Sequence, residues 1–173
     1  MILWIIIAVV SVIADFISKR IVMANMALYD TAAFLPGLIE FRYIRNTGAA
    51  WGMFSDSRWV FMVLTSIAII AIPFILYKYG KVHKLFGISL SLIWGGAIGN
   101  MIDRVFYGSV VDFINFQFVE FPVFNIADCC VTIGAAMMLV YVIFFDKTLF
   151  RDEKKKKEEK TNSVTEENKN DET

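Results

Sequence analysis

The feature that most constrains this chain is a set of four long apolar stretches. They cover about Ile2 to Met23, Trp59 to Tyr77, Leu85 to Ile102 and Ile126 to Phe145. A helix rises 1.5 Å per residue, so roughly 20 mostly apolar residues cross the hydrocarbon core of a bilayer. The expected fold class is an all-α integral membrane protein with four transmembrane helices. Pro73 falls near the end of the second stretch, where a kink is tolerable because neighbouring helices can satisfy the freed backbone. The first stretch lacks a basic leading region and a good small-x-small pattern before Asp15, so it is read as retained.

Lys and Arg in short loops set orientation. The turn "KYGKVHK" carries Lys78, Lys81 and Lys84, and the tail beyond the fourth stretch carries Lys147, Arg151 and Lys154 to Lys157. Both are expected in the cytoplasm, which puts both termini inside and leaves loops 24–58 and 103–125 outside. Arg42, Arg45 and Arg58 in the first outside loop run against that rule, although the loop is long. Residues 1–146 form one expected membrane domain. Residues 147–173, which mix both charge signs and hold almost no large apolar side chain, are expected to be a disordered cytoplasmic tail near anionic headgroups. The chain is 57% hydrophobic with no net charge, and its two cysteines, Cys129 and Cys130, are adjacent. That excludes a disulfide framework, and a single His83 cannot anchor a histidine-rich metal site. No cofactor, metal or nucleic-acid partner is expected.

In the first outside loop, Ile39, Phe41 and Tyr43 alternate with Glu40 and Arg42, the period of a strand with one apolar face. The pattern breaks at Asn46-Thr47-Gly48, a turn signal. Ala49, Ala50 and Gly52 then keep the backbone approachable, with Trp51, Phe54 and Trp59 as interfacial anchors. The expected result is a small β-rich subdomain, either a structural hairpin capping the helices or a platform for an extended peptide. Gly95 and Gly99 form a small-xxx-small pattern suited to close helix contact. Asn100, Asp103 and Arg104 follow at the rim, and an Asn at that depth must bond something fixed. Asp103 and Arg104 are adjacent and could form a rim pair. Asp15 and Lys19 are four apart on one helical face, in the favourable order for an ion pair.

Asp112 and Asp128 lie sixteen residues apart in "GSVVDFINFQFVEFPVFNIADCC", each embedded in apolar sequence. Isolated carboxylates in such settings are costly to ionise. If the two converge, they share one proton and titrate as a unit. Such a pair activates a water through one carboxylate and polarises a carbonyl through the other, with no metal or nucleophilic side chain. The same two aspartates, with Asp15 and Lys19, would also serve a proton or cation path. A purely structural membrane subunit is a third reading.

"RNTGAAWGMF" (45–54), "GGAIGNMIDRVFYGSVVDFINF" (95–116) and "FPVFNIADCCVTIG" (121–134) resemble the signature blocks of the lipoprotein signal peptidases, the signal peptidase II family. "ADFISK" (14–19) is similar to the family's first-helix block, which commonly reads Asp-Gln where this chain has Asp-Phe. The resemblance covers about residues 2 to 146, with the blocks in family order. It implies an aspartic endopeptidase of the bacterial cytoplasmic membrane with a catalytic dyad at Asp112 and Asp128. Residues lining or supporting the site fall on Asp15, Lys19, Asn46, Gly48, Asn100, Asp103, Arg104 and Asn125. The implied substrate is a prolipoprotein carrying diacylglycerol on its lipobox cysteine, cut just before that cysteine among membrane lipids. The position after the second aspartate is usually serine in the family and is Cys129 here. With Asp128 intact, that departure is expected to be tolerated.

Overall fold

A computed structural model describes residues 1–48, 58–81 and 83–145. The expectations for Ala49, Ala50, Trp51, Gly52, Phe54 and the charged tail lie outside those residues. In chain order the elements are α1 (Ile2–Asn25), β1 (Thr31–Leu35), β2 (Ile39–Asn46), α2 (Arg58–Tyr79), α3 (Lys84–Tyr107), β3 (Val110–Phe116) and α4 (Ile126–Phe144). All four helices are long and apolar enough to cross a membrane. The second continues past Pro73 to Tyr79.

The third helix runs further than its hydropathy suggests. Asp103 and Arg104, expected in the loop after Ile102, lie in its last turns. It ends where Gly108 adopts a left-handed φ of 70° and donates its N–H to the Arg104 carbonyl. Glycine takes that conformation without a Cβ clash. The start of α3 is fixed by His83, whose Nδ1 accepts from the Leu85 N–H at 3.2 Å.

Helix α3 packs against each of the other three helices. Lipid tails are as apolar as the helices they surround, so close packing rather than water exclusion holds such a bundle. Gly95 and Gly99 provide it. A Cβ on Gly95 would lie 2.7 Å from the Ala8 carbonyl oxygen, and one on Gly99 would lie 2.6 Å from Asp15 Oδ2. One end of the bundle is filled by Trp4, Ile72, Leu76 and Leu90.

The other end carries a three-stranded antiparallel sheet in the order β1-β2-β3. The expected strand from Ile39 is β2, with Tyr43 buried on its inner face and Arg42 exposed. One of its two partners completes a hairpin expected of this loop, and the other is an addition to the sequence reading. One, β1, makes a hairpin with β2; the other, β3, comes from the second loop and carries Asp112. The subdomain therefore draws on both loops, not on the first alone. Ile44 pairs with Asp112 and Asn46 with Val110, after a register shift between Phe41 and Ile44. Val22, Tyr43, Val111 and Phe113 form the small core that seats the sheet on α1.

Candidate active site

Where α1, α3, α4 and β3 meet, the polar residues of the sequence converge. Lys19, only 2% exposed, is the hub. Its Nζ lies 2.7 Å from Asp15 Oδ2 and 3.0 Å from Asp103 Oδ2, and it donates to Asn100 Oδ1 at 3.0 Å. A buried lysine needs such partners, because an unpaired ammonium away from water is very costly. The i,i+4 pair read from the sequence is present. The rim pair is not, because Asp103 turns inward to Lys19 while Arg104 donates to the Asn100 carbonyl at 3.4 Å.

Each carboxylate on Lys19 has a second task. Asp15 Oδ1 accepts the Ala127 N–H at 2.9 Å, and Asp103 Oδ2 accepts the Val111 N–H at 3.0 Å. Ala127 directly precedes Asp128, and Val111 directly precedes Asp112. One lysine therefore holds, through two carboxylates, the backbone beside each candidate catalytic residue.

Neutral amides hold the aspartate side chains themselves. Asn125 Nδ2 donates to Asp112 Oδ1 at 2.6 Å, and Asn46 Nδ2 donates to Asp112 Oδ2 at 2.9 Å. Asp128 Oδ1 accepts from Asn100 Nδ2 at 2.8 Å, and its Oδ2 accepts the Asn125 N–H at 3.1 Å. Asn125 Oδ1 in turn accepts the Asp128 N–H at 2.9 Å. This is a reciprocal capping box, which satisfies orphan donors at the start of α4. Asn46 is fixed by the turn after β2, where its Oδ1 accepts the Gly48 N–H at 2.9 Å.

Both aspartates open on one cavity of about 440 Å³, whose walls include Asn46, Gly48, Asn100, Arg104, Phe124 and Cys129. It shares Phe116, Phe121 and Pro122 with a more open groove of about 740 Å³ beside Glu40, Asn115 and Gln117. Asp112 is 2% exposed. Burial pushes its carboxyl up from the ordinary 3.8 to about 7, and the charge of Asp128 adds to that push. The Asn46 and Asn125 amides and the charge of Lys19 pull the other way. Among the described residues, no three His, Cys, Asp or Glu side chains come together to hold a metal ion.

All ten residues singled out in the sequence lie in this cluster. Asp112, Asp128, Asn46, Gly48, Asn100 and Arg104 line the cavity, while Asp15, Lys19, Asp103 and Asn125 stand behind it. The sequence reading missed the walls made by Phe116, Phe121, Phe124, Thr132 and Ile133. The aromatic run from Phe113 to Phe124 was the available signal. It also missed the Ala127 and Val111 amides, which no residue type marks.

The family model for signal peptidase (SPase) II matches residues 7–144. The chain belongs to the signal peptidase II family. Relatives support that membership along most of the chain. The lipoprotein signal peptidase of Symbiobacterium thermophilum is 38% identical over 145 residues, covering 83% of this chain and 95% of the relative. That of Listeria monocytogenes serotype 4a is 42% identical over 135 residues, covering 77% and 88%. A solved structure described as a bacterial membrane enzyme superposes with a TM-score of 0.78 at 35% identity, covering 86% of this chain and 93% of that one. A second, described in the same way, gives 0.77 at 36% identity, covering 85% and 96%. As a signal peptidase II family member, this multi-pass membrane protein is a protease.

Proposed function

We propose that this protease removes the signal peptide from diacylglyceryl-modified prolipoproteins, cleaving before the lipidated lipobox cysteine with an Asp112–Asp128 dyad and an activated water. The observation that carries the reading is the pair of carboxylates on one half-enclosed cavity, each gripped by neutral amides. Asp112, buried and raised to about 7, keeps the shared proton. Asp128 is held at the same cavity by the Asn100 side chain and the Asn125 N–H. In this division Asp128 takes a proton from the attacking water while Asp112 donates a hydrogen bond to the scissile carbonyl. Arg104, on the same cavity wall, offsets the negative charge that accumulates.

The cavity suits a substrate that stays in the bilayer. Thr132 and Ile133, a turn along α4 from Asp128, lead from the dyad towards the lipid-facing part of the bundle. Phe116, Phe121 and Pro122 lead away from it towards the sheet. Asn46 and Gly48 are assigned to the substrate side, and Asp15, Lys19, Asp103 and Asn125 to positioning the dyad. The sheet end faces outward from the bacterial cytoplasmic membrane in this reading, with both termini and Lys78, Lys81 and Lys84 in the cytoplasm.

Among the described residues, a transport path finds no continuation at the opposite end, where the core is Trp4, Ile72, Leu76 and Leu90. The buried serines near it, Ser89 and Ser91, donate to carbonyls of their own helix. Cleavage of matched lipidated and unlipidated precursor peptides by the purified protein tests the proposal. Release of signal peptide from the lipidated form only, unchanged by chelator, is expected. Equal cleavage of both forms overturns the substrate assignment, and chelator inhibition reversed by added metal overturns the mechanism. A reporter placed in the 108–125 loop should read external; a cytoplasmic reading overturns the orientation.

A further inference from the structure

Arg20 and Arg45 belong to a part of the charge pattern that proteolysis leaves unused. Arg20 follows buried Lys19 on α1 but points to the exposed side, and Arg45 is exposed on β2 two residues after buried Tyr43. Both converge on Tyr107, the last residue of α3. The Arg20 guanidinium donates to the Tyr107 hydroxyl. Its Cζ lies 5.2 Å from the Tyr107 ring centre and 4.8 Å from that of Phe16. Arg45 Cζ lies 5.5 Å from the same Tyr107 ring, and its Nε donates to the Tyr43 hydroxyl at 3.2 Å.

Three elements thus bring two guanidinium groups to one aromatic ring. Among the described residues, the ion pairs within 4.0 Å are the two made by Lys19, so neither arginine has a carboxylate partner there. Ring faces and hydroxyls attract a guanidinium, but they do not neutralise two like charges gathered at one ring. An anion does. Each guanidinium has five N–H donors in a planar fork, a match for the non-ester oxygens of a phosphate.

The surroundings decide what carries that phosphate. Phe16, Ile17 and Ile21 of α1 and Val105 and Phe106 of α3 are all exposed on the same membrane-spanning helices as Arg20 and Tyr107. Arg20 lies five residues before the end of α1, about 7.5 Å along the helix axis, which is headgroup depth. A soluble phosphate would leave the apolar flank unused, whereas a phospholipid occupies both parts.

We propose that Arg20, Arg45 and Tyr107 form a site for the phosphodiester headgroup of an anionic phospholipid, with its acyl chains along Phe16, Ile17 and Phe106. The site lies on the bundle surface, apart from the cavity, and does not depend on the catalytic assignment. Native mass spectrometry of the detergent-purified protein, titrated with phosphatidylglycerol or phosphatidylcholine, tests it. Wild type should retain one phosphatidylglycerol at concentrations where phosphatidylcholine is lost. R20Q/R45Q should need at least tenfold more, and R20K/R45K should fall between them, since lysine keeps the charge without the fork. Free glycerophosphate at the same concentration should not compete. Equal retention of the two lipids by wild type, unchanged phosphatidylglycerol retention in R20Q/R45Q, or displacement by glycerophosphate would each overturn the site. If R20Q/R45Q fails to insert, the lipid comparison on wild type and R20K/R45K decides alone: a preference absent in wild type, or undiminished in the lysine pair, refutes the role given to the fork.

Discussion

At one end of the bundle, Trp4, Ile72, Leu76 and Leu90 pack with no charged side chain in their core; at the other, Asp15, Lys19 and Asp103 are buried as deeply. The first end is held by fit. Exchanging helix contacts for lipid contacts changes little in polarity, so its stability comes from shape and dispersion. The second is held by directed bonds, in which every charge needs its partner. A substitution at the first end therefore loosens the molecule, while one at the second also displaces a carboxylate of the proposed dyad.

The largest effect expected is at the dyad. Asp112→Asn and Asp128→Asn should each lower cleavage of a lipidated precursor by about 10³-fold or more, an activation loss of roughly 4 kcal/mol or more. Insertion and helix content should stay normal. Residual activity within tenfold of wild type in either variant would break the proposed division of labour.

Next comes a matched pair of substitutions, one at each end. Lys19→Met leaves Asp15 and Asp103 buried without their cation, a change that costs on the order of 3–5 kcal/mol. Cleavage per folded molecule should fall with it, since the backbone beside both aspartates loses its anchor. Leu76→Ala at the apolar end should cost about 2 kcal/mol, because lipid removes most of the transfer term and leaves the cavity term. Cleavage per folded molecule should then be unchanged. Thermal unfolding and single-turnover cleavage on the same preparations measure both. A Lys19→Met protein that is unstable yet fully active when folded would make the two ends alike.

Asn46→Ala tests the edge of the polar end. It removes one of two amide donors on Asp112. A surface change would cost at most about 0.5 kcal/mol and leave cleavage intact. An amide that positions the dyad or the peptide should cost on the order of tenfold in rate, or about 1.4 kcal/mol. Wild-type turnover in this variant would return the turn at Asn46 to a merely structural role.

The last test is of pH. Asp112 is raised in the folded protein to about 7 from 3.8, so between these values the folded state binds more protons than the unfolded. Its contribution to stability is present in full below about 4 and is lost as pH rises through 7. The expected signature is a Tm that falls steadily across that interval. In Asp112→Asn this component should vanish, and substitutions at the apolar end should leave it in place. A slope identical in both proteins would assign it to other groups.

The two ends also differed in how far the sequence revealed them. Crossing a bilayer demands length and apolarity, so four helices were legible, and alternation from Ile39 to Tyr43 marked β2. The Asp15–Lys19 pair was legible because helical spacing alone creates it. Asp103 as the third member was not, since no spacing rule relates α1 to α3. Its charge also made α3 look finished at Ile102, although Lys19 neutralises it and Gly108 ends the helix five residues later. The strand β3 escaped notice because Val-Val-Asp-Phe-Ile-Asn-Phe has no clean period of two; pairing with β2, not its own pattern, defines it. The Asn125-x-x-Asp128 spacing, by contrast, does carry a capping signal.

The bond from the Ala127 amide to Asp15 spans 112 residues, and that from Asn46 to Asp112 spans 66. Contacts so distant in the chain form only after everything between them has been made and inserted. During synthesis, α1 enters the bilayer with Asp15 and Lys19 long before Asp103, Asn125 or Asp128 exists. The geometry proposed for peptide-bond cleavage thus waits for α4. In the proposed mechanism a half-made copy lacks the second carboxylate of the dyad and is inert towards its neighbours in the membrane.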